Sequence, residues 1–106
     1  MTLRIYDEIL VFAGRMRPVL ERIAVHDGDL SRQGRKAVCS VVLNTSEGRG
    51  QRAGKGRNRL EDAMGSADES RAVLQAATAM GYIEAQPELV AEATRIAKVL
   101  RKLAMR

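Results

Sequence analysis

The sequence predicts an all-α protein, an antiparallel up-down-up-down four-helix bundle in which residues 1–106 form one domain. Three observations carry that expectation. Apolar residues recur at three- and four-residue steps in four successive segments, the spacing of one helical face. The breaks between segments are short, which makes consecutive helices antiparallel neighbours. Aromatic residues are 3% of the chain and Trp is absent, against 45% apolar residues overall, so the core must be built from Ala, Val, Leu, Ile and Met. That composition suits closely packed helices better than a β-sandwich, and 106 residues suffice for one modest core.

The first helix is expected over residues 3–25, where Ile5, Ile9, Phe12, Met16, Val19 or Leu20, and Ile23 share a face. Pro18 falls inside it. Its ring opposes the carbonyl of Gly14 and it donates no hydrogen bond, which predicts a bend rather than two elements. His26-Asp27-Gly28-Asp29 reads as a break, with Gly28 as the stop and Asp29 as the next N-cap. The second helix, residues 29–48, is locally ambiguous, because Val38-Cys39-Ser40-Val41-Val42-Leu43 has the composition of a buried strand. Leu30, Gly34, Ala37, Val41, Asn44 and Gly48 nevertheless follow a helical spacing that makes a small-residue seam. Arg49 to Gly56, rich in Gly and Arg, reads as a loop. The third helix, residues 57–80, carries Leu60, Ala63, Met64, Ala67, Leu74, Ala77 and Thr78 on one side and stops at Gly81. The fourth, residues 87–105, opens on Pro87, whose missing N–H costs nothing in a first turn. Its apolar stripe is Leu89, Ala93, Ile96, Leu100 and Leu103, with Glu88 and Glu92 at its positive end and Arg101, Lys102 and Arg106 at its negative end.

Charge is distributed unevenly. Arg49, Arg52, Lys55, Arg57 and Arg59 lie in eleven residues without an acid, and outside them 13 of the 18 cations face 13 acidic residues. The formal net charge of +5 therefore belongs to one segment. Five cations on a Gly-flexible loop suit a phosphate backbone, with salt-sensitive and sequence-tolerant affinity. No aromatic interleaves them, so base stacking is not supported. The alternative is a solvated polar loop. Arg95, Lys98, Lys102 and Arg106 form a second basic stripe at helical spacing, whose simplest reading is a solvated face.

Several chemistries find no constellation. Gly48-Arg49-Gly50-Gln51-Arg52-Ala53 fits a loose dinucleotide pattern but lacks the preceding strand and the βαβ unit. Gly54-Lys55 lacks the first Gly of a P-loop and its following Ser or Thr. His26 is expected as an exposed turn residue and Cys39 as a small buried hydrophobe, and their separation argues against a metal site. With a single cysteine the chain forms no intrachain disulfide and fits a reducing cytosol. No signal-peptide pattern or bilayer-length apolar run is visible, so a cytoplasmic protein is expected. Neither a cofactor, a small-molecule substrate nor a membrane partner is expected.

Gln33, Ser40, Asn44 and Glu47 lie along one edge of the second helix. In a hairpin turning near Arg52, positions whose numbers sum to about 104 lie level. That sets Arg35 or Lys36 opposite Glu69, and Glu47 opposite Arg57. Arg35, Asn44, Glu47 and Glu69 are thus expected to form a structural polar network, with Asn44 fixing register. The competing reading, a general acid or base in a cleft, lacks a nucleophile or metal to complete it.

The order Leu30, Gln33, Arg35-Lys36-Ala37, Ser40-Val41, Asn44-Thr45-Ser46-Glu47-Gly48, Arg49 and Arg52, then Ala63-Met64-Gly65-Ser66, Glu69, Leu74 and Gly81-Tyr82-Ile83 covers about half the chain. It resembles the bacterial four-helix-bundle family named after the 23S rRNA intervening sequences that encode some members. Gly34 departs by standing where a larger residue is usual, and Leu60 by standing near a typical aromatic. The resemblance implies a four-helix bundle that forms homopentameric rings and has no assigned catalysis. It also implies distant kinship with the accessory protein of diversity-generating retroelements, which binds a reverse transcriptase and nucleic acid. Two functions follow as expectations. One is a non-enzymatic module that self-assembles and binds RNA or another polyanion through the loop between helices two and three. The other is an adaptor for a nucleic-acid enzyme such as a reverse transcriptase, with no nucleic-acid contact of its own.

Overall fold

The computed structural model describes residues 2–49 and 53–106, and it is a four-helix bundle measuring 42 × 22 × 19 Å. Helix α1 spans Thr2–His26, α2 Gly28–Arg49, α3 Ala53–Ala79 and α4 Pro87–Ala104. No strand occurs among the described residues, so helical periodicity prevails over the strand-like composition of Val38–Leu43. Helix α1 runs through Pro18 as one element. Pro18 is on its exposed side, where the carbonyl freed at Gly14 can turn to water.

The turns show where local chemistry was read correctly and where it was not. Asp27 alone separates α1 from α2, and its Oδ1 accepts the Leu30 N–H at 3.0 Å. Asp27 is therefore the N-cap, not Asp29, which sits in the first turn beside the positive helix end. Gly28 opens α2 instead of stopping α1. At the end of α3 the expectation holds. Gly81 adopts φ +79°, its N–H donates to Thr78 O and that of Tyr82 donates to Ala77 O, a Schellman closure. Helix α4 begins with Pro87 in its first turn.

Helix α3 begins four residues earlier than expected, so the loop Arg49–Gly56 contracts to the residues between Arg49 and Ala53. Isolated Gly54 and Gly56 each cost a helix about 1 kcal/mol relative to Ala. Packing offsets this, because Gly56 is buried against the last turn of α2, where Gly48 is also buried.

The pairing of partners establishes antiparallel order. Ser31 Oγ donates to Leu20 O and Arg49 lies over Tyr6 across α1–α2, while Ser66 meets Ser40 and Arg59 meets Glu47 across α2–α3. Arg57 reaches Ala104 and Arg71 reaches Thr94 across α3–α4. The α2–α3 and α3–α4 hairpins pack most extensively and α1–α4 least. That last seam is bridged at its edge by Arg15–Glu92 at 2.9 Å and Arg95–Glu8 at 2.6 Å. Both pairs are partly exposed, so Arg15→Ala or Arg95→Ala is expected to cost less than about 1 kcal/mol. Urea denaturation at low and high salt checks this, the difference shrinking as salt screens the pair.

All of the expected α1 stripe is buried, including Val19 together with Leu20. Leu89, Ala93, Ile96 and Leu100 of α4 are buried and Leu103 is half-buried. The α2 seam is buried at Gly34, Ala37, Val41 and Gly48. A Cβ on Gly34 would stand 2.6 Å from Leu20 Cδ2 and 3.0 Å from Val73 Cγ1, so glycine lets α2 approach both neighbours. This explains why the larger residue usual at that position is not present.

Candidate functional site: the basic end of the bundle

Up-down topology brings the end of α2, the start of α3 and the end of α4 together. Of the five cations expected on the loop, the structure gives three of them structural partners. The Arg49 guanidinium lies 4.2 Å from the centre of the Tyr6 ring, a cation–π contact tying α2 to α1. Arg57, on α3, donates from Nε to Ala104 O at 3.1 Å and so satisfies a carbonyl at the C-terminal end of α4. Arg59, also on α3, donates to Asn44 Oδ1 at 3.4 Å and pairs with Glu47 at 3.7 Å. Lys55 is exposed on the first turns of α3. Arg52 lies outside the described residues.

The Arg57–Ala104 bond shows what one-dimensional reading missed. It sets the exposed Arg101 and Lys102, in the last turn of α4, at the same end as Lys55. The available signal was topological: in a four-helix up-down bundle the fourth helix must end beside the start of the third. Of the second basic stripe, Arg95 is engaged with Glu8, while Lys98, Lys102 and Arg106 are exposed.

The polar network differs from its expected membership. Ser66 Oγ bonds Ser40 Oγ at 2.7 Å, and Asn44 Nδ2 donates to Ser40 O and Oγ. Arg59 then links Asn44 to Glu47, so Asn44 and Glu47 do belong to one α2–α3 network. Glu47 pairs with Arg59 rather than Arg57. Arg35 and Glu69 are both exposed and form no ion pair with each other, nor does Lys36 with Glu69. The reason is angular. Gly34 and Ser70 lie on the buried seam, and each successive residue turns about 100° round a helix. Arg35 and Glu69 are therefore carried away from the contact, and the seam is left to small hydroxyls.

Two buried polar atoms have no hydrogen-bond partner, Thr45 Oγ1 and Arg49 Nη1, one helical turn apart on α2. Cys39, expected to be buried, is exposed. Exposed His26 stacks on Tyr82 with ring centroids 5.4 Å apart and planes within 4°, tying the end of α1 to the α3–α4 turn. Among the described residues no group of three or more His, Cys, Asp or Glu is placed to hold a metal ion, and no helix is long and apolar enough to cross a membrane.

An α-helical bundle with one basic end is the class this arrangement defines. No protein-family model and no curated protein matches the chain. Its fold is similar to the crystal structure of a protein of unknown function from the S23 ribosomal protein family of Bacteroides thetaiotaomicron, with a TM-score of 0.87. The likeness covers 96% of this chain and 99% of that one at 22% identity. At that identity the shared property is the four-helix fold.

Proposed function

We propose that the chain is a non-catalytic, self-assembling module of the cytoplasm whose basic end binds RNA or another polyanion through its phosphates. The observation that carries this reading is the concentration of charge. No acid lies between Gly48 and Leu60, and the topology adds Arg101 and Lys102 to that end. The contact surface is then composite, with exposed Lys55, Arg101 and Lys102 supplemented by the outer edges of Arg57 and Arg59. Fixed guanidiniums and flexible ammoniums around a bundle end favour backbone contact without sequence readout. Self-association is supported by exposed Leu10, Val11, Leu43 and Met80, large apolar side chains facing solvent in a single copy. A ring of copies would multiply a modest charge per chain into avidity.

A second reading has its own observation. Arg49, Arg57 and Arg59 are engaged within the bundle, which favours an adaptor that docks on a nucleic-acid enzyme such as a reverse transcriptase without touching nucleic acid.

Filter binding of single-stranded RNA at two salt concentrations, about 50 and 200 mM, separates the two. The first reading expects binding that weakens steeply with salt. Substituting Lys55, Arg101 and Lys102 by serine should lower the log–log salt slope by about 2, near 0.7 for each lost phosphate contact. Absence of binding at the lower salt overturns the RNA reading and leaves the adaptor.

A further inference from the structure

We propose that the outer groove between α1 and α2 seats a second copy of this chain, which presents its acidic α3–α4 turn to it. The inference rests on the self-association proposed above and says where the contact forms.

The groove has a volume of about 360 Å³ and a mainly apolar wall that includes Ala13, Leu20 and Ala24 of α1 and Val38 and Cys39 of α2. It exists because the outer seam of this hairpin carries small residues, so no large side chain closes it. Helical spacing extends it toward the basic end, since Leu10 precedes Ala13 by three positions and half-buried Val42 follows Cys39 by three. Leu10 is 44% exposed, so the apolar strip continues beyond the groove itself.

Charge identifies the occupant. Two guanidiniums line the groove. Arg17 is matched by Glu21 at 3.4 Å, whereas Arg35 has no ion-pair partner. An apolar trench with one unmatched cation fits an apolar knob that carries a carboxylate. The chain itself contains that knob. From Ala72 to Thr94 there are three glutamates and no Lys or Arg. At its centre the α3–α4 turn exposes Met80 and Glu84, with Tyr82 and Ile83 half-buried and Glu88 exposed just beyond.

Geometry puts groove and knob at one height. The α1–α2 and α3–α4 turns share an end of the bundle, and Arg15 lies 2.9 Å from Glu92 and 4.0 Å from Glu88, so the first turns of α4 are level with the Arg17 region. A rotation about an axis parallel to the bundle preserves height, so the groove of one copy faces the turn of the next. Groove and turn are different surfaces, which makes the contact head-to-tail and able to close into a ring.

Cys39, the sole cysteine and exposed in the single chain, reports on the groove. Light scattering across a dilution series gives the assembly state, and maleimide labelling gives Cys39 access at each point. Assembly should slow labelling about tenfold. Arg35→Glu should raise the concentration at half-assembly by about tenfold, as a like-charge contact does, and Glu84→Arg or Glu88→Arg in the same chain should reverse that rise. Assembly with Cys39 still labelling at the dilute rate overturns the groove while self-association stands. Protection of Cys39 without reversal by either Glu variant overturns the acidic turn as occupant. A chain that is monomeric throughout overturns both this contact and self-association.

Discussion

Replacing Phe12 by alanine is expected to lower the unfolding free energy by about 3–5 kcal/mol, the upper range for loss of a buried aromatic. Phe12 is the chain's one phenylalanine and is fully buried near the middle of α1. The core around it is asymmetric. Every buried side chain of α1 is large, whereas α2, α3 and α4 contribute alanines at 37, 63, 67, 77, 93, 97 and 104. Large residues of one helix therefore fill the space that small residues of the other three leave. Alanines have no side-chain freedom with which to collapse into a void, so most of the cavity opened by Phe12→Ala persists. For a domain of this size the loss is a large fraction of a total stability of about 5–15 kcal/mol. Urea denaturation followed by far-UV circular dichroism checks it, with the midpoint falling and the slope unchanged. A loss below about 1 kcal/mol would show that the other helices close on α1 more freely than this packing implies.

The same asymmetry explains what was legible in the sequence. Helices α1 and α4 carry large apolar residues at unbroken helical spacing, and their stripes are buried as read. The α2 seam was legible for the opposite reason, small residues at the same spacing. What the sequence hid were properties of pairs. The start of α3 was hidden because Gly54 and Gly56 look like breakers until Gly56 is seen packed against Gly48. The partner of Glu47 was missed through register. Ser40 with Ser66, and Glu47 with Arg59, both sum to 106, not the expected value of about 104. Two positions along a helix turn a side chain by about 200°, enough to exchange Arg57 for Arg59. Arg57 is thereby freed for Ala104, a contact no local pattern encodes. Arg49 was legible as a cation but not as the lid on Tyr6, since the residues are separated by the whole α1–α2 hairpin. The basic end was thus half visible: its charge is a property of composition, and its division into engaged and exposed cations is a property of packing.

Substituting Gly48 by valine should cost about 3 kcal/mol, at the upper end of overpacking. An added Cβ would lie 3.0 Å from both Cγ and Cδ2 of Leu60 and 3.1 Å from Gly56 O. The leucine tip can rotate aside, but the Gly56 carbonyl is backbone and moves only with α3. Gly48→Ala should be milder, because the helix propensity gained over glycine, about 1 kcal/mol, offsets part of the strain. Gly65 is the internal control. It is exposed on α3, and a Cβ there meets nothing within 4 Å. Gly65→Ala should therefore stabilise the bundle by up to about 1 kcal/mol. The contrast in sign isolates close approach from propensity, since both positions are helical glycines. If Gly48→Ala stabilised as much as Gly65→Ala, the two helices would not be held together at that point. The early start of α3 would then need a cause other than the meeting of Gly48 with Gly56. If the contrast holds, the hairpin end that carries Lys55, Arg57 and Arg59 is a rigid platform. Its cations are then presented in fixed positions by packed glycines, not scattered on a flexible loop.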